Sequence, residues 1–114
     1  MDWAGKVSEA IGYIEEHLLE ELTIDDIAGR VFISPFYFQK GFVMLCGLTA
    51  GEYIRARRLS LAGSDLAAGT GERVIDLAFK YGYDSPDSFS KAFTRFHGVT
   101  PAQIKKGGEM ARMF

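Results

Sequence analysis

Few residues in this chain could serve a catalyst. His17 and His97 stand far apart in the sequence, and neither has a companion at metal-ligand spacing. Cys46 is the single cysteine, so neither an internal disulfide nor a multi-cysteine metal site is expected. It has no neighbouring base in the sequence and reads as a small apolar filler. No phosphate loop, paired-carboxylate pattern or nucleophile motif occurs, so an enzyme is not expected and no cofactor is implied. The chain instead offers polar and cationic side chains set among evenly spaced aromatics. Gln39 and Lys40 lie between Phe38 and Phe42, and Ser90 and Lys91 lie between Phe89 and Phe93. An amide can donate and accept along a planar edge, and an ammonium or guanidinium group can pair with an anion. Arg55, Arg57, Arg58 and Arg95 extend the cationic set.

These side chains need elements to hold them, and the spacing predicts helices. Val7, Ile11, Ile14, Leu18 and Leu22 step by three or four residues and mark one face of a helix from about Trp3 to Glu20. Thr23 opens a short helix to Arg30 or Val31, with Asp26 three residues on as in a capping box. Ser34-Pro35 opens a helix to about Leu45, stopped near Gly47. Thr49-Ala50-Gly51-Glu52 caps a longer helix over about 50–67. Val74–Tyr81 reads as another short helix, Ser85-Pro86 opens one to His97, and Thr100-Pro101-Ala102-Gln103 caps a last turn. Nothing alternates with period two, so the expected fold is all-α. Phe38, Phe42, Phe89 and Phe93 fall four apart in pairs and should face the core.

The chain also repeats itself. Ile24, Asp26, Ile27 and Ala28 match Val74, Asp76, Leu77 and Ala78 at an offset of 50. Ser34, Pro35, Phe38, Lys40, Phe42, Gly47 and Thr49 match Ser85, Pro86, Phe89, Lys91, Phe93, Gly98 and Thr100 at an offset of 51. One extra residue therefore sits in the second turn. Each unit is a short helix, a tight turn and a longer helix opened by Ser-Pro, which is the form of a helix-turn-helix.

Composition fits a single small domain, or two very small ones. The 114 residues are 47% hydrophobic and 25% charged, enough to build a packed core. No stretch is long and apolar enough to span a membrane. The start lacks a basic region followed by an apolar run, so no secretory signal is expected and the protein is read as cytoplasmic. Net charge is −2 but is unevenly spread. Residues 1–33 hold eight acids against Lys6 and Arg30, whereas residues 34–114 hold seven acids against eleven bases. A chain polarised in this way can present a basic face at low pI; ordinary solvated charge on helix surfaces is the other reading.

Seven blocks in order carry a family resemblance. They are Leu22-Thr-Ile-Asp-Asp-Ile-Ala28, Ser34-Pro-Phe-Tyr-Phe-Gln-Lys-Gly-Phe42, Tyr53-Ile-Arg-Ala-Arg-Arg-Leu59, Ile75-Asp-Leu-Ala78, Gly82-Tyr-Asp-Ser85, Phe89-Ser-Lys-Ala-Phe93 and Gly98-Val-Thr-Pro101. Over roughly residues 6–105 the chain resembles the DNA-binding domain of AraC/XylS transcription regulators, in particular the MarA/SoxS/Rob-like branch. The resemblance implies a seven-helix, homeodomain-like fold of two helix-turn-helix subdomains joined by a long linking helix. The boundaries would be 1–48 for the first subdomain, 49–68 for the linking helix, 69–106 for the second subdomain and 107–114 for a C-terminal exit. It implies a bacterial, sequence-specific regulator or activator on double-stranded promoter DNA, with RNA polymerase as a partner. Two recognition helices would enter successive major grooves about 34 Å apart.

The matching positions for base contact are Phe36, Gln39 and Lys40 on the first recognition helix, and Pro86, Asp87, Ser90 and Lys91 on the second. Gln39 can pair with adenine, and Lys40 with guanine or a phosphate. Phe36 could touch a thymine methyl or pack in the core. Asp87 could accept from cytosine or simply favour its own helix N-terminus. Ser34, Ser85 and Arg95 are placed on phosphates, and Arg55 and Arg57 either on phosphates or on plain surface. Arg58 lies on an apolar stripe, where a charge needs a partner; the resemblance suggests Asp76 and a structural role for both.

The chain departs from the family pattern in places. Phe32 stands where a turn glycine is usual, so that turn must use another backbone or strain a non-glycine residue. Val43-Met44-Leu45 replaces a lysine-rich stretch and is either extra core or a docking patch. With the low pI and Asp87, these departures motivate a rival reading, a protein-interaction module on a helix-turn-helix scaffold. A small-molecule sensor is a third reading, disfavoured because a pair of small helical units leaves little room for a pocket. His17 reads as solvated, and His97 as a cation at a helix C-terminus. Lys105-Lys106-Gly107-Gly108 reads as a flexible exit before the apolar stretch Glu109–Phe114; the chain is read as a fragment that continues into a ligand-sensing domain, a frayed natural C-terminus being the other reading.

Overall fold

The computed structural model describes residues 2–106; the predicted exit at 107–114 lies outside them. Seven helices follow in order: α1 (Trp3–Glu16), α2 (Ile24–Arg30), α3 (Pro35–Cys46), α4 (Ala50–Ala67), α5 (Val74–Lys80), α6 (Pro86–His97) and α7 (Pro101–Lys105). The described residues contain no strand. The chain divides into two compact units that meet at Arg55 and Ala56, inside α4.

Helix starts follow local chemistry. Ser34 Oγ accepts from Tyr37 N at 3.3 Å, and Ser85 Oγ accepts from Ser88 N at 3.1 Å, each just ahead of a proline in the first turn. Thr49 and Glu52 form a reciprocal capping box: Thr49 N donates to Glu52 Oε1 at 2.8 Å and Glu52 N donates to Thr49 Oγ1 at 3.0 Å. The Thr49 amide, and after it the Thr49 hydroxyl, holds the Glu52 carboxyl below the usual carboxylate range. Thr100 and Gln103 repeat the box on α7. Both α3 and α6 close on a left-handed glycine, Gly47 (φ 78°) and Gly98 (φ 79°).

In the first unit α1 packs on α2 and α3. Val7, Ala10 and Ile14 of α1 are buried, as are Ile27, Phe38 and Phe42. Trp3 lies so close to Gly41 that a methyl group there would fall 2.5 Å from the indole. The helix expected to run to Glu20 ends at Glu16, with His17 as its cap. A turn beyond it still buries Leu18, so the apolar spacing outlasts the helix. His17 is not simply solvated: its ring meets Tyr13 edge-on at 4.2 Å, and its Nδ1 lies 3.0 Å from Glu20 Oε2.

In the second unit the later part of α4 does for α5 and α6 what α1 does in the first. Leu59, Ala62 and Leu66 form one core with Leu77, Ala78, Tyr81, Phe89, Phe93 and Ile104. Tyr81 is buried and its hydroxyl donates to Asp65 Oδ2 at 2.5 Å, an acceptor shared with Lys80 Nζ at 3.1 Å. Burial, followed by the Asp65 bond, pushes the Tyr81 hydroxyl well above its usual range. His97 is not a free terminal cation, because Nε2 lies 2.7 Å from the carbonyl of Leu59.

The two turns keep the offset of 50, and the extra residue of the second unit follows Tyr83. α2 closes with Ile33 N donating to Ala28 O at 3.1 Å, and α5 closes with Tyr83 N donating to Ala78 O at 2.9 Å. Each is the long bond of a Schellman motif, which needs a left-handed residue just before the donor. That residue is Gly82 (φ 85°) in the second turn and Phe32 (φ 62°) in the first. The first turn therefore keeps the glycine backbone and strains a phenylalanine. A left-handed side chain costs about 1–2 kcal/mol. The Phe32 ring is 85% exposed and its visible contact is Lys6 Nζ, 5.7 Å from the centroid. Phe32→Gly is expected to raise stability by a few tenths to about 1 kcal/mol, since glycine's unfolded-state entropy offsets part of the relief. Urea unfolding would check it, and a loss of stability would show that the ring contributes more than the backbone strain removes.

Candidate nucleic-acid interface

The outward faces of α3 and α6 carry the predicted contact residues. On α3, Phe36 is 62% exposed, which settles it as a surface ring and not core. Lys40 Nζ stands 5.0 Å above that ring, and Tyr37 meets it edge-on at 5.4 Å. Gln39 and Lys40 are exposed, while Phe38 before them and Phe42 beyond them are fully buried. Gln39, Lys40 and Arg55 line one groove of about 700 Å³, whose floor is Ile24, Val43, Met44, Ala50 and Gly51. Val43, Met44 and Leu45 are all exposed, so the stretch expected as either core or patch is surface. No carboxylate of the described residues lines the groove, and with two cations on its wall it suits an anionic, partly apolar edge.

On α6, Ser90, Lys91, Thr94 and Arg95 line a shallow depression. Thr94 was not singled out in the sequence, although its spacing of four from Ser90 placed it there. Asp87 is exposed, and its carboxylate holds Lys91 Nζ at 3.1 Å. The helix-terminus role expected for Asp87 is thus joined by a specific partner one turn on. Pro86 is half-buried in the first turn. Ser34 and Ser85 both act as helix caps; the Ser85 hydroxyl also donates to Ser88 Oγ at 3.0 Å, whereas a hydroxyl that only accepts an amide, as at Ser34, has its own proton to donate.

The arginines of α4 differ in setting. Arg55 is exposed, and its guanidinium passes over Gly51. Arg57 and Arg58 are half-buried. Burial pushes the Arg58 guanidinium below its ordinary value, against an opposing effect of Tyr83. The expected Arg58–Asp76 pair is corrected by the structure. Asp76 is held by Arg73, with Nε to Oδ2 at 2.9 Å and Nη2 to Oδ1 at 3.3 Å. Arg73 sits three residues before Asp76 at the start of α5, so the fork reaches the carboxylate locally and in water. Arg58 instead lies against the turn, 3.5 Å from the position a side chain at Gly82 would take.

A helix-turn-helix domain model matches residues 27–107. The transcriptional activator AarP of Providencia stuartii is 38% identical over 96 residues, covering 84% of this chain and 70% of AarP. This chain belongs to the AraC-type helix-turn-helix family. Its family and fold are those of DNA-binding transcription regulators and not of enzymes. The transcriptional regulator Rob of Salmonella typhimurium is 34% identical over 109 residues; there the AraC-type domain takes up 96% of this chain but only 37% of Rob. An AraC-type DNA-binding-domain protein from Chromobacterium violaceum has the same fold, with a TM-score of 0.86 and 25% identity over 92% of this chain and 93% of that one. No helix among the described residues of this AraC-type domain is long and apolar enough to cross a membrane.

Proposed function

We propose that this AraC-type domain binds duplex promoter DNA with sequence specificity, using α3 and α6 as recognition helices in the major groove. The observation that carries the reading is the repeated presentation of polar and cationic side chains on the outer face of a helix whose inner face is locked by two buried phenylalanines. Gln39, Lys40 and Phe36 face base edges from α3, and Pro86, Asp87, Ser90 and Lys91 do so from α6. Arg55, Arg57, Arg95, Ser34 and Ser85 hold the backbone. Arg58 and Asp76 keep structural roles, Arg58 at the turn of the second unit and Asp76 at the start of α5. The likeness to AarP, named as an activator, supports activation of transcription; contact with RNA polymerase, in the bacterial cytoplasm, is part of the same proposal. Rob, of which this chain spans 37%, is a longer protein than this domain; a ligand-sensing domain joined to the AraC-type domain is part of the same proposal.

The test is fluorescence anisotropy with a randomised duplex pool at about 50 and 200 mM salt, followed by selection from the pool. Binding should fall steeply with salt. Arg95→Ala should weaken all sequences alike and reduce the salt slope by about one phosphate contact. No binding at the lower salt overturns this reading and favours a protein-interaction module, whose docking surface would be Val43-Met44-Leu45.

A further inference from the structure

The Asp87–Lys91 pair on α6 is arranged in a way that stability does not explain. The two side chains are 78% and 79% exposed, four residues apart, with Lys91 Nζ 3.1 Å from Asp87 Oδ2. An exposed pair of this kind contributes little to folding. Acid before base at this spacing is the favourable order on a helix. The pair presents a donor beside an acceptor to the solvent, on the second and sixth residues of the helix. The early, outward residues of a recognition helix are the ones that meet base edges.

We propose that Asp87 and Lys91 read one C·G pair as a unit, Lys91 donating to guanine and Asp87 accepting from the paired cytosine. This rests on the reading of α6 as a helix in the major groove, and it names what that helix recognises. Guanine O6 and cytosine N4 are hydrogen-bonded to each other in the base pair, so they lie about 2.9 Å apart. The protein pair, at 3.1 Å, has nearly the same separation. Ammonium over O6 and carboxylate over N4 sets each donor against an acceptor. Guanine N7, beside O6, gives the ammonium a second acceptor.

The other three base pairs fit worse, and in a definite order. Adenine in place of guanine turns the N6 donor towards Lys91 and thymine O4 towards Asp87, so both contacts repel. Exchanging the strands of the C·G pair puts N4 against the ammonium and O6 against the carboxylate, again two repulsions. Thymine in place of guanine keeps O4 for Lys91 and adenine N6 for Asp87. It loses N7 beside the ammonium and brings adenine N7 towards the carboxylate. The ranking is therefore guanine first, thymine second, and adenine and cytosine last. Lysine alone would accept guanine without testing the opposite base; Asp87 adds that test.

Base analogues separate the two contacts. The duplex that the unaltered chain selects from a randomised pool is remade with N4-methylcytosine, which blocks the outward N4 proton, at each C·G pair in turn. A second series carries 7-deazaguanine, which lacks N7. One C·G pair should exist at which each analogue weakens binding by about tenfold. Asp87→Ala should lose the response to N4-methylcytosine there and keep the response to 7-deazaguanine. Lys91→Ala should lose the response to 7-deazaguanine. Both side chains are exposed, so the circular dichroism of both variants should match that of the unaltered chain, and the melting temperature should change by a few degrees at most, Asp87→Ala also losing its favourable place in the first turn of α6. A selected site with no such pair overturns the proposal. So does a pair sensitive to 7-deazaguanine alone, or an Asp87→Ala variant that still responds to N4-methylcytosine. Failure to select any duplex is a different result: it overturns the DNA reading itself, and this proposal with it.

Discussion

Phe42→Ala is expected to lower the stability of the first unit by about 3–5 kcal/mol, as for other fully buried aromatic truncations. The ring is 0% exposed and packs at 5.7 Å from Phe38 and 5.9 Å from Tyr53. A unit of this size has little stability to spare, because a short chain buries a small share of its surface. The loss also reaches the interface. Tyr53 is anchored by its hydroxyl, which donates to Glu15 Oε2 at 2.9 Å, and it stands two residues before Arg55 on α4. Removing the Phe42 ring therefore loosens the wall that carries Arg55 as well as the helix that carries Gln39 and Lys40. Trp3 is the single tryptophan and its indole lies on Gly41 of α3, so its emission follows this unit. The urea midpoint read at Trp3 should fall sharply, and DNA binding should weaken for every sequence. A change below about 1 kcal/mol would mean that neighbouring side chains close the cavity.

The core behind this prediction was legible in the residues, because each pair of phenylalanines four apart, Phe38 with Phe42 and Phe89 with Phe93, lies on one face of its helix. Ser34, Ser85, Thr49 and Thr100 were equally legible, since a cap is a local bond between a hydroxyl and an amide three residues on. The fold class followed from those signals together with the repeat. Less legible was what depends on a competing partner. Apolar spacing carried the predicted first helix to Glu20, yet Leu18 is buried from a turn beyond Glu16. Asp76 was matched with a distant arginine, whereas Arg73 one turn away captures it. The Asp87–Lys91 pair had a readable spacing of four, but an acid in a first helical turn has a second use at the dipole, and sequence does not rank the two. Phe32 was recognisable as anomalous; that the chain keeps the glycine backbone there depends on the carbonyl of Ala28, which needs its donor. The groove beside Gln39 was invisible, because it forms where residues far apart in sequence, from Ile24 to Arg55, converge.

Gln39→Ala tests the site at the residue where base reading and backbone holding differ most. Gln39 is neutral and exposed, and the next residue, Lys40, stands over the Phe36 ring. Its amide can donate to adenine N7 and accept from N6 at once, and such a bidentate contact is worth about 1–3 kcal/mol of discrimination. The variant should therefore bind the selected duplex more weakly by about that amount, and sequences altered at the contacted base pair hardly less than before. Base choice should relax at that one position. The salt slope should not change, because no charge is lost. Stability should stay within about 0.5 kcal/mol, as for other surface substitutions. Arg95→Ala is the counterpart, with a changed slope and unchanged base choice. Competition binding across the single-base variants of the selected duplex, at two salt concentrations, measures both quantities in one experiment. Equal weakening on every sequence would assign Gln39 to the backbone, and sequence reading by the first unit would then fall to Lys40 and Phe36.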